Sequence, residues 1–406
     1  MPMTWPNLWL LNHLPSMIFV FCVGAAVGSF LNVVVHRLPA GMSLVDPPSR
    51  CPICGVRLGF FRENLPILGW IMIRGKCRTC KAPVSVRYML VEVLMALVFL
   101  GLYAMLYLSP SSAEWLRNVG GPWWYGNGFL RTWPAFFSLA FMVSGLYAMT
   151  VIDARTFTIP IEIPRFTTIA SFVLLGLQAV ILSPPRPATQ SWATYGVDWP
   201  VAGLAIGGML GMLLSWALLS LRVFKYSFAD YDDYVDDGET IGDYPHARRE
   251  MKHEVLFVIP ILIAATIGWF GTGGLEGPPA PLVQALAGAG LGYLVGGGIV
   301  WAVRILGTLA FGREAMGMGD VHLLAAVGVV VGWPEALLVF FVAPFSALLV
   351  VFLGSGAQTL FKTRWHHLPF GPHLAVATVI VILGRPGFQA LMEKVWGFGF
   401  PLRGFV

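Results

Sequence analysis

This chain is short of charge. Aspartate, glutamate, lysine and arginine make up 12% of its 406 residues, about half the share usual in soluble domains. With 57% hydrophobic residues and a mean hydropathy of +0.73, the deficit excludes an ordinary soluble globule and points to a polytopic membrane protein. The net charge of +5 is too small for this length to support a nucleic-acid partner, and none is expected. The first 35 residues carry no Lys, Arg, Asp or Glu at all. A cleavable signal peptide has positive charge ahead of its apolar segment. Here His36 and Arg37 follow it, so the first apolar segment is expected to stay in the bilayer with its N-terminus outside. The chain also lacks an internal sequence repeat and a Rossmann-type glycine fingerprint.

Long apolar runs are plentiful. They lie at Leu14–Val35, Tyr88–Leu108, Pro134–Ile152, Phe166–Leu182 and Pro200–Val223, then at Val255–Phe270, Leu282–Leu306, Val321–Trp333, Leu337–Leu353 and Phe370–Leu383. An upright span needs about 20 residues, so Val321–Trp333 is short unless it starts upstream, near Met316. The expected fold class is an all-α polytopic membrane protein of about eight to ten transmembrane helices, ten by direct count. Between Arg37 and Arg87 there are nine Lys or Arg against two acids, Asp46 and Glu63. By the positive-inside rule that loop is cytoplasmic. Alternating sides from an outside N-terminus brings Asp153, ending the third run, and Asp320, following the seventh, to the same cytoplasmic face.

The expected organisation is a first transmembrane helix (1–36), a cytoplasmic four-cysteine segment (37–87), helices carrying Asp153 (88–222), an acidic cytoplasmic insertion (223–254) and helices carrying "AMGMGD" and "PFGP" (255–406). The insertion and its edges hold nine of the 21 acids: Asp230, Asp232, Asp233, Asp236, Asp237, Glu239, Asp243, Glu250 and Glu254. Such runs are usually solvated faces. The sharper alternative is attraction of a basic segment of a partner.

"CPIC" and "CRTC" place Cys51, Cys54, Cys77 and Cys80 as two CxxC pairs 22 residues apart. Each CxxC turn offers two thiolates to one ion, so the quartet reads as a structural Zn2+ site with no open coordination position. Two disulfides are the alternative, which a loop on the reducing face disfavours. Cys22 lies within the first run and reads as a buried small apolar residue.

Asp153 closes an apolar run ahead of "ARTFTIP", where Pro160 and Pro164 bar a simple helical continuation. Asp320 follows Gly317 and Gly319 and precedes another apolar run. An ionisable residue at membrane depth is treated as functional by default, and the glycines allow close backbone approach. Two neighbouring carboxyls sharing one proton could activate water with one member and polarise a scissile carbonyl with the other. Against this, Asp153 could be a helix cap or partner of Arg155, and Asp320 a helix N-cap.

With these residues the chain resembles the type IV prepilin peptidases, membrane aspartic proteases of the GxGD type. "VGSFLNVVVHRLP", "SRCPICG", "RENLPILGW", "RGKCRTCKAPVSVRYMLVE", "VIDARTFTIP", "AMGMGDVHLLAAVGVVVGW" and "LPFGPHLA" follow the family's phrases in order. The resemblance implies cleavage of the short basic leader of prepilins and pseudopilins at the cytoplasmic face of a bacterial inner membrane, with Asp153 and Asp320 catalytic and Gly317 and Gly319 supporting them. It also implies N-methylation of the new N-terminus from S-adenosylmethionine. Two positions depart from the family pattern: His322 stands where lysine is usual, and Ile161 where Asn or Asp is frequent. Two extra spans and the acidic loop separate the two aspartate blocks.

A secondary transporter is the rival class, since glycine-rich spans such as "LAGAGLGYLVGGGIV" suit broken or close-packed helices. A non-catalytic zinc-bearing scaffold is the third reading. Trp123, Trp124 and Tyr125 are expected as interfacial aromatic anchors, and His246, Arg248 and Arg249 as candidates for headgroup contact. His366 and His367 read as part of a basic orienting turn.

Overall fold

The computed structural model describes residues 5–59, 63–108, 123–182, 197–230, 244–361 and 369–396. His366 and His367 lie outside them, as do six of the nine acids, Asp232 to Asp243. The described residues form helices and two isolated bridges, Arg50 with Arg57 and Lys76 with Pro83. In chain order the helices are α1 (Trp5–Arg37), α2 (Leu68–Met72), α3 (Val86–Tyr107), α4 (123–127), α5 (Phe129–Thr156), α6 (Glu162–Ile181), α7 (Trp199–Ser220), α8 (Ala247–Thr272), α9 (Pro281–Phe311), α10 (Met318–Val331), α11 (Trp333–Phe361) and α12 (Gly371–Trp396). Eight are long and apolar enough to cross a membrane: α1, α3, α5, α6, α7, α8, α9 and α11. The apolar stretches at Met318–Val331 and Gly371–Gly384 are shorter. Each of the ten apolar runs in the sequence thus becomes a helix.

Local chemistry sets several boundaries. The Ser85 hydroxyl accepts from the Arg87 amide at the start of α3, and the Asp198 carboxylate accepts from the Val201 amide at the start of α7. Each satisfies an orphan N–H of a first turn. Proline opens α7 and α9, where its missing N–H costs nothing. Phe157 (φ 55°) and Gly312 (φ 75°) close α5 and α9 in the left-handed region.

At 14 residues, α10 is about 21 Å long, shorter than the roughly 30 Å hydrocarbon core. Its apolar residues are nearly all buried, because α5, α6, α9, α11 and α12 surround it. Gly292 of α9 and Gly328 of α10 meet backbone to backbone: a Cβ on either would stand 2.0 Å from the other's carbonyl oxygen. The glycine-rich α9 is therefore unbroken and close-packed. The main core joins residues of α1, α3, α4, α5, α6, α9, α10, α11 and α12. Beside it α7 and α8 form a hairpin on their own glycine seam, where a Cβ at Gly207 would stand 2.1 Å from the Ala264 carbonyl oxygen. Away from that seam, the apolar stretch of α8 has no fully buried residue.

Three readings from the sequence are corrected. Cys22 is exposed: α1 turns Gly24 and Gly28 onto α3, and a residue two before Gly24 points away from that seam. Trp124 is fully buried, packed edge-on against Tyr107 at 5.8 Å between ring centroids, while Tyr125 is exposed. Arg248 and Arg249 are engaged within the protein. Arg248 donates to the Leu309 and Ala310 carbonyls, and Arg249 pairs with Asp230 and Glu250.

Candidate active site

Asp153 stands in the last turn of α5, whose end is fixed by Phe157 donating its amide to the Asp153 carbonyl at 2.9 Å. Its side chain is buried and accepts a hydrogen bond from the Gly371 amide at 3.1 Å. Gly371 is the first residue of α12, so the carboxylate lies against the positive end of a helix that is remote from it in sequence. A Cβ at 371 would stand 2.6 Å from that same carboxylate oxygen. The backbone can serve Asp153 only because residue 371 is glycine.

Asp320 is in the first turn of α10. Gly317 is the N-cap and accepts the Asp320 amide on its carbonyl at 3.2 Å. Asp320 is therefore not itself the cap, and its buried side chain is left for other work. The residue before it, Gly319, rests on Ile159: a Cβ there would stand 2.8 Å from the Ile159 Cβ. Gly371 touches the same isoleucine. One side chain thus bridges the surroundings of both aspartates. The pair expected from the sequence, with Gly317 and Gly319, comes together at one end of the bundle. Gly371 was legible only as part of "LPFGPHLA". A Gly-Pro step opening an apolar run signals a helix start, but not that its amide meets Asp153. Of the two departures, Ile161 is the exposed N-cap of α6 and His322 is half-buried on α10.

The loop presenting Asp320 is tied down from outside. Arg304 of α9 donates to the Glu314 carboxylate and the Met316 carbonyl. The Thr308 hydroxyl accepts from the Ala315 amide at 3.1 Å. Arg304 is in turn forked onto Glu254 of α8, with contacts of 2.9 to 3.1 Å.

The four cysteines between α1 and α3 form two matching knuckles. The Cys51 amide donates to Val56 and the Gly55 amide to Cys51; the Cys77 amide donates to Ala82 and the Lys81 amide to Cys77. Gly55 (φ 69°) and Lys81 (φ 61°) take the left-handed position that closes each turn. All four sulfurs lie within 4.8 Å of one another, and Cys51–Cys80 and Cys54–Cys77 are both 3.8 Å apart. Sulfurs about 2.3 Å from a tetrahedral ion stand about 3.8 Å apart, so the donor set fits zinc, and the thiols are free rather than bridged. The Cys54 amide, and after it that of Ile53, holds the Cys51 thiol down to about 6, toward the thiolate a metal requires. The segment is moored to the bundle by Glu92 of α3, which accepts the Ile67 amide at 2.6 Å.

Two family models match the chain. Residues 22–106 match the bacterial peptidase A24 N-terminal domain, which takes in the four cysteines, and residues 248–352 match the type IV leader peptidase family, which takes in Asp320. An 82-residue segment is 52% identical to the prepilin leader peptidase/N-methyltransferase of Myxococcus xanthus, covering 20% of this chain and 24% of that protein. Proteins of the same name from Aeromonas hydrophila and Pseudomonas aeruginosa are each 27% identical. They cover 93% and 92% of this chain and 94% of their own lengths. No solved structure matches the chain. The four-cysteine segment thus lies in a bacterial peptidase A24 N-terminal domain, and the aspartate-bearing glycine loop in a type IV leader peptidase domain, within a multi-pass helical bundle.

Proposed function

We propose that the protein is a prepilin peptidase that removes the basic leader of type IV prepilins and pseudopilins at the cytoplasmic face of the inner membrane, with Asp153 and Asp320 as its catalytic pair. The observation that carries this is the placing of two buried carboxylates at helix ends on either side of Ile159, Asp153 of α5 held by the Gly371 amide and Asp320 of α10 following Gly319.

Two carboxyls so placed share a proton and act as a unit. The ionised member takes a proton from water as its oxygen bonds to the scissile carbonyl carbon, and the protonated member hydrogen-bonds the carbonyl oxygen. Collapse of the tetrahedral intermediate breaks the C–N bond. The amine leaves with a proton from the dyad, giving a carboxylate-ended leader and a mature chain with a free N-terminus. A substrate whose apolar helix lies in lipid and whose charged leader lies in water crosses the bilayer boundary where such helix ends would stand.

Zinc, when bound to Cys51, Cys54, Cys77 and Cys80, cross-links the loop between α1 and α3 and holds it as a folded unit. Methylation of the new amine, with the methyl group passing from the sulfonium of S-adenosylmethionine to nitrogen and a proton leaving, is supported by the relatives' name and by the four-cysteine segment. A transporter would place its acids near the midplane; these sit at helix ends.

Incubating the purified protein with a prepilin and labelled S-adenosylmethionine, and reading the product N-terminus by mass spectrometry, reports both activities. Cleavage with a mass gain of one methyl group is expected. An intact leader after prolonged incubation would refute the peptidase reading, and cleavage without the gain would refute the methyltransferase alone.

A further inference from the structure

We infer that Arg304 is a positioning residue for the peptidase, clamping the loop that presents Asp320 to α8 through Glu254. The inference rests on the peptidase reading and adds residues outside the aspartate motifs to it.

Arg304 is 2% exposed and Glu254 3%, and the guanidinium is used on every side. Its Nε and Nη2 address the Glu254 carboxylate. Its Nη1 addresses Glu314 and the Met316 carbonyl. The Phe228 ring lies 5.3 Å below its carbon. Glu254 is oriented in turn by the Trp301 indole N–H at 2.8 Å.

A buried ion pair is by itself weak grounds for a stabilising role, because apolar residues of like volume often hold helices together as well. What apolar residues cannot do is fix the backbone of 314–316. The segment from Gly312 to Gly319 contains three glycines and has little intrinsic preference for one path. Its path is imposed at named points. Gly312 closes α9 beneath the Arg248 guanidinium, which a Cβ would approach to 3.3 Å. Ala315 lies on Gly307 and donates to Thr308. The Met316 carbonyl is held by Arg304, immediately before the Gly317 N-cap and four residues before Asp320.

The line Glu254–Arg304–Met316–Gly317 therefore runs from α8 to the carboxylate. The α7–α8 hairpin otherwise stands beside the main core, and here its second helix acquires a catalytic consequence. A lysine would carry the charge but not the fork that reaches two carboxylates and a carbonyl together.

The test compares wild type, Arg304→Lys, Arg304→Met and Glu254→Gln as full-length protein in lipid nanodiscs, with a prepilin as substrate. Rates are taken per folded enzyme, with zinc content as an independent check on the loop between α1 and α3. Because displacements of about 1 Å in a catalytic group cost up to about 100-fold, both Arg304 variants are expected to lower kcat roughly 10- to 100-fold. KM should stay within about twofold, the limbs of the pH–kcat profile should move, and zinc content should be unchanged. Glu254→Gln keeps the shape and weakens the anchor, so a smaller loss of the same kind is expected, and it decides the matter if the Arg304 variants do not fold. Variants with wild-type kcat and pH profile per folded molecule would overturn the inference and leave the peptidase reading standing. A wild type that cleaves no prepilin would overturn both.

Discussion

Asp153 takes a hydrogen bond from the first amide of α12, and residue 371 has room for nothing larger than hydrogen on its Cα. Gly371→Ala would push a methyl group to within 2.6 Å of the carboxylate oxygen, so the aspartate or the helix start must move. A loss of kcat of about 10- to 100-fold is expected in a prepilin cleavage assay, since displacements of that order are costly in a pre-organised site, with zinc content unchanged. The aspartates themselves could be found in the sequence because a carboxylate at the edge of an apolar run is conspicuous. Gly371 could not, because its partner lies 218 positions away and a glycine before proline has many ordinary uses. The burial of Trp124 was hidden for a similar reason. Aromatic residues flanking apolar runs favour interfaces on average, but Tyr107 and its aromatic neighbours offer this one an enclosed place.

At the level of elements, the two cysteine knuckles and the glycine seams make separate demands. One zinc ion per chain is expected by elemental analysis. Cys51→Ser or Cys77→Ser should abolish its retention after dialysis, while Cys22→Ser, outside the quartet, should leave it intact. The α7–α8 hairpin depends on backbone contact at Gly203, Gly207 and Gly211. Gly207→Leu must part the helices, and forcing extra methylenes into a filled contact costs about 1–3 kcal/mol. A lowered midpoint of thermal unfolding in detergent is the expected readout. The apolar runs announced the helices well, but they misplaced the start of α8. That helix begins at Ala247, eight residues before the apolar run, because Glu250 and Glu254 turn inward to internal partners. Hydropathy scores such residues as loop, whereas the Phe228 amide and Arg249 engage Glu250 and Arg304 of α9 engages Glu254.

Across the whole molecule, the aspartate blocks sit far apart in sequence, with four membrane-length helices between them, and still meet. An even number of crossings returns the chain to the side it left, which is why parity counted from apolar runs was enough to place both aspartates on one face. What parity could not supply was the depth of α10, too short to cross upright on its own and buried among longer helices. Nor could it reveal that α12 closes over Asp153. Of the nine acids in and around the insertion, the three in described positions, Asp230, Glu250 and Glu254, are engaged within the protein. A variant lacking 231–243 but keeping Asp230 is therefore expected to fold and to retain zinc. Comparing its KM for prepilin at low and high salt measures whether the remaining acids attract a basic leader: a KM raised at low salt alone shows attraction, and an unchanged KM shows a solvated face.

Single-turnover cleavage of a prepilin by wild type, Asp153→Asn, Asp320→Asn and the double variant addresses the pairing of these carboxylates most directly, with substrate binding followed in the same samples. Each single substitution is expected to slow cleavage by at least about 10³-fold, and the double by no more than either alone, as for groups that act as one unit, while binding persists. Cleavage near the wild-type rate by either single variant would contradict a shared site.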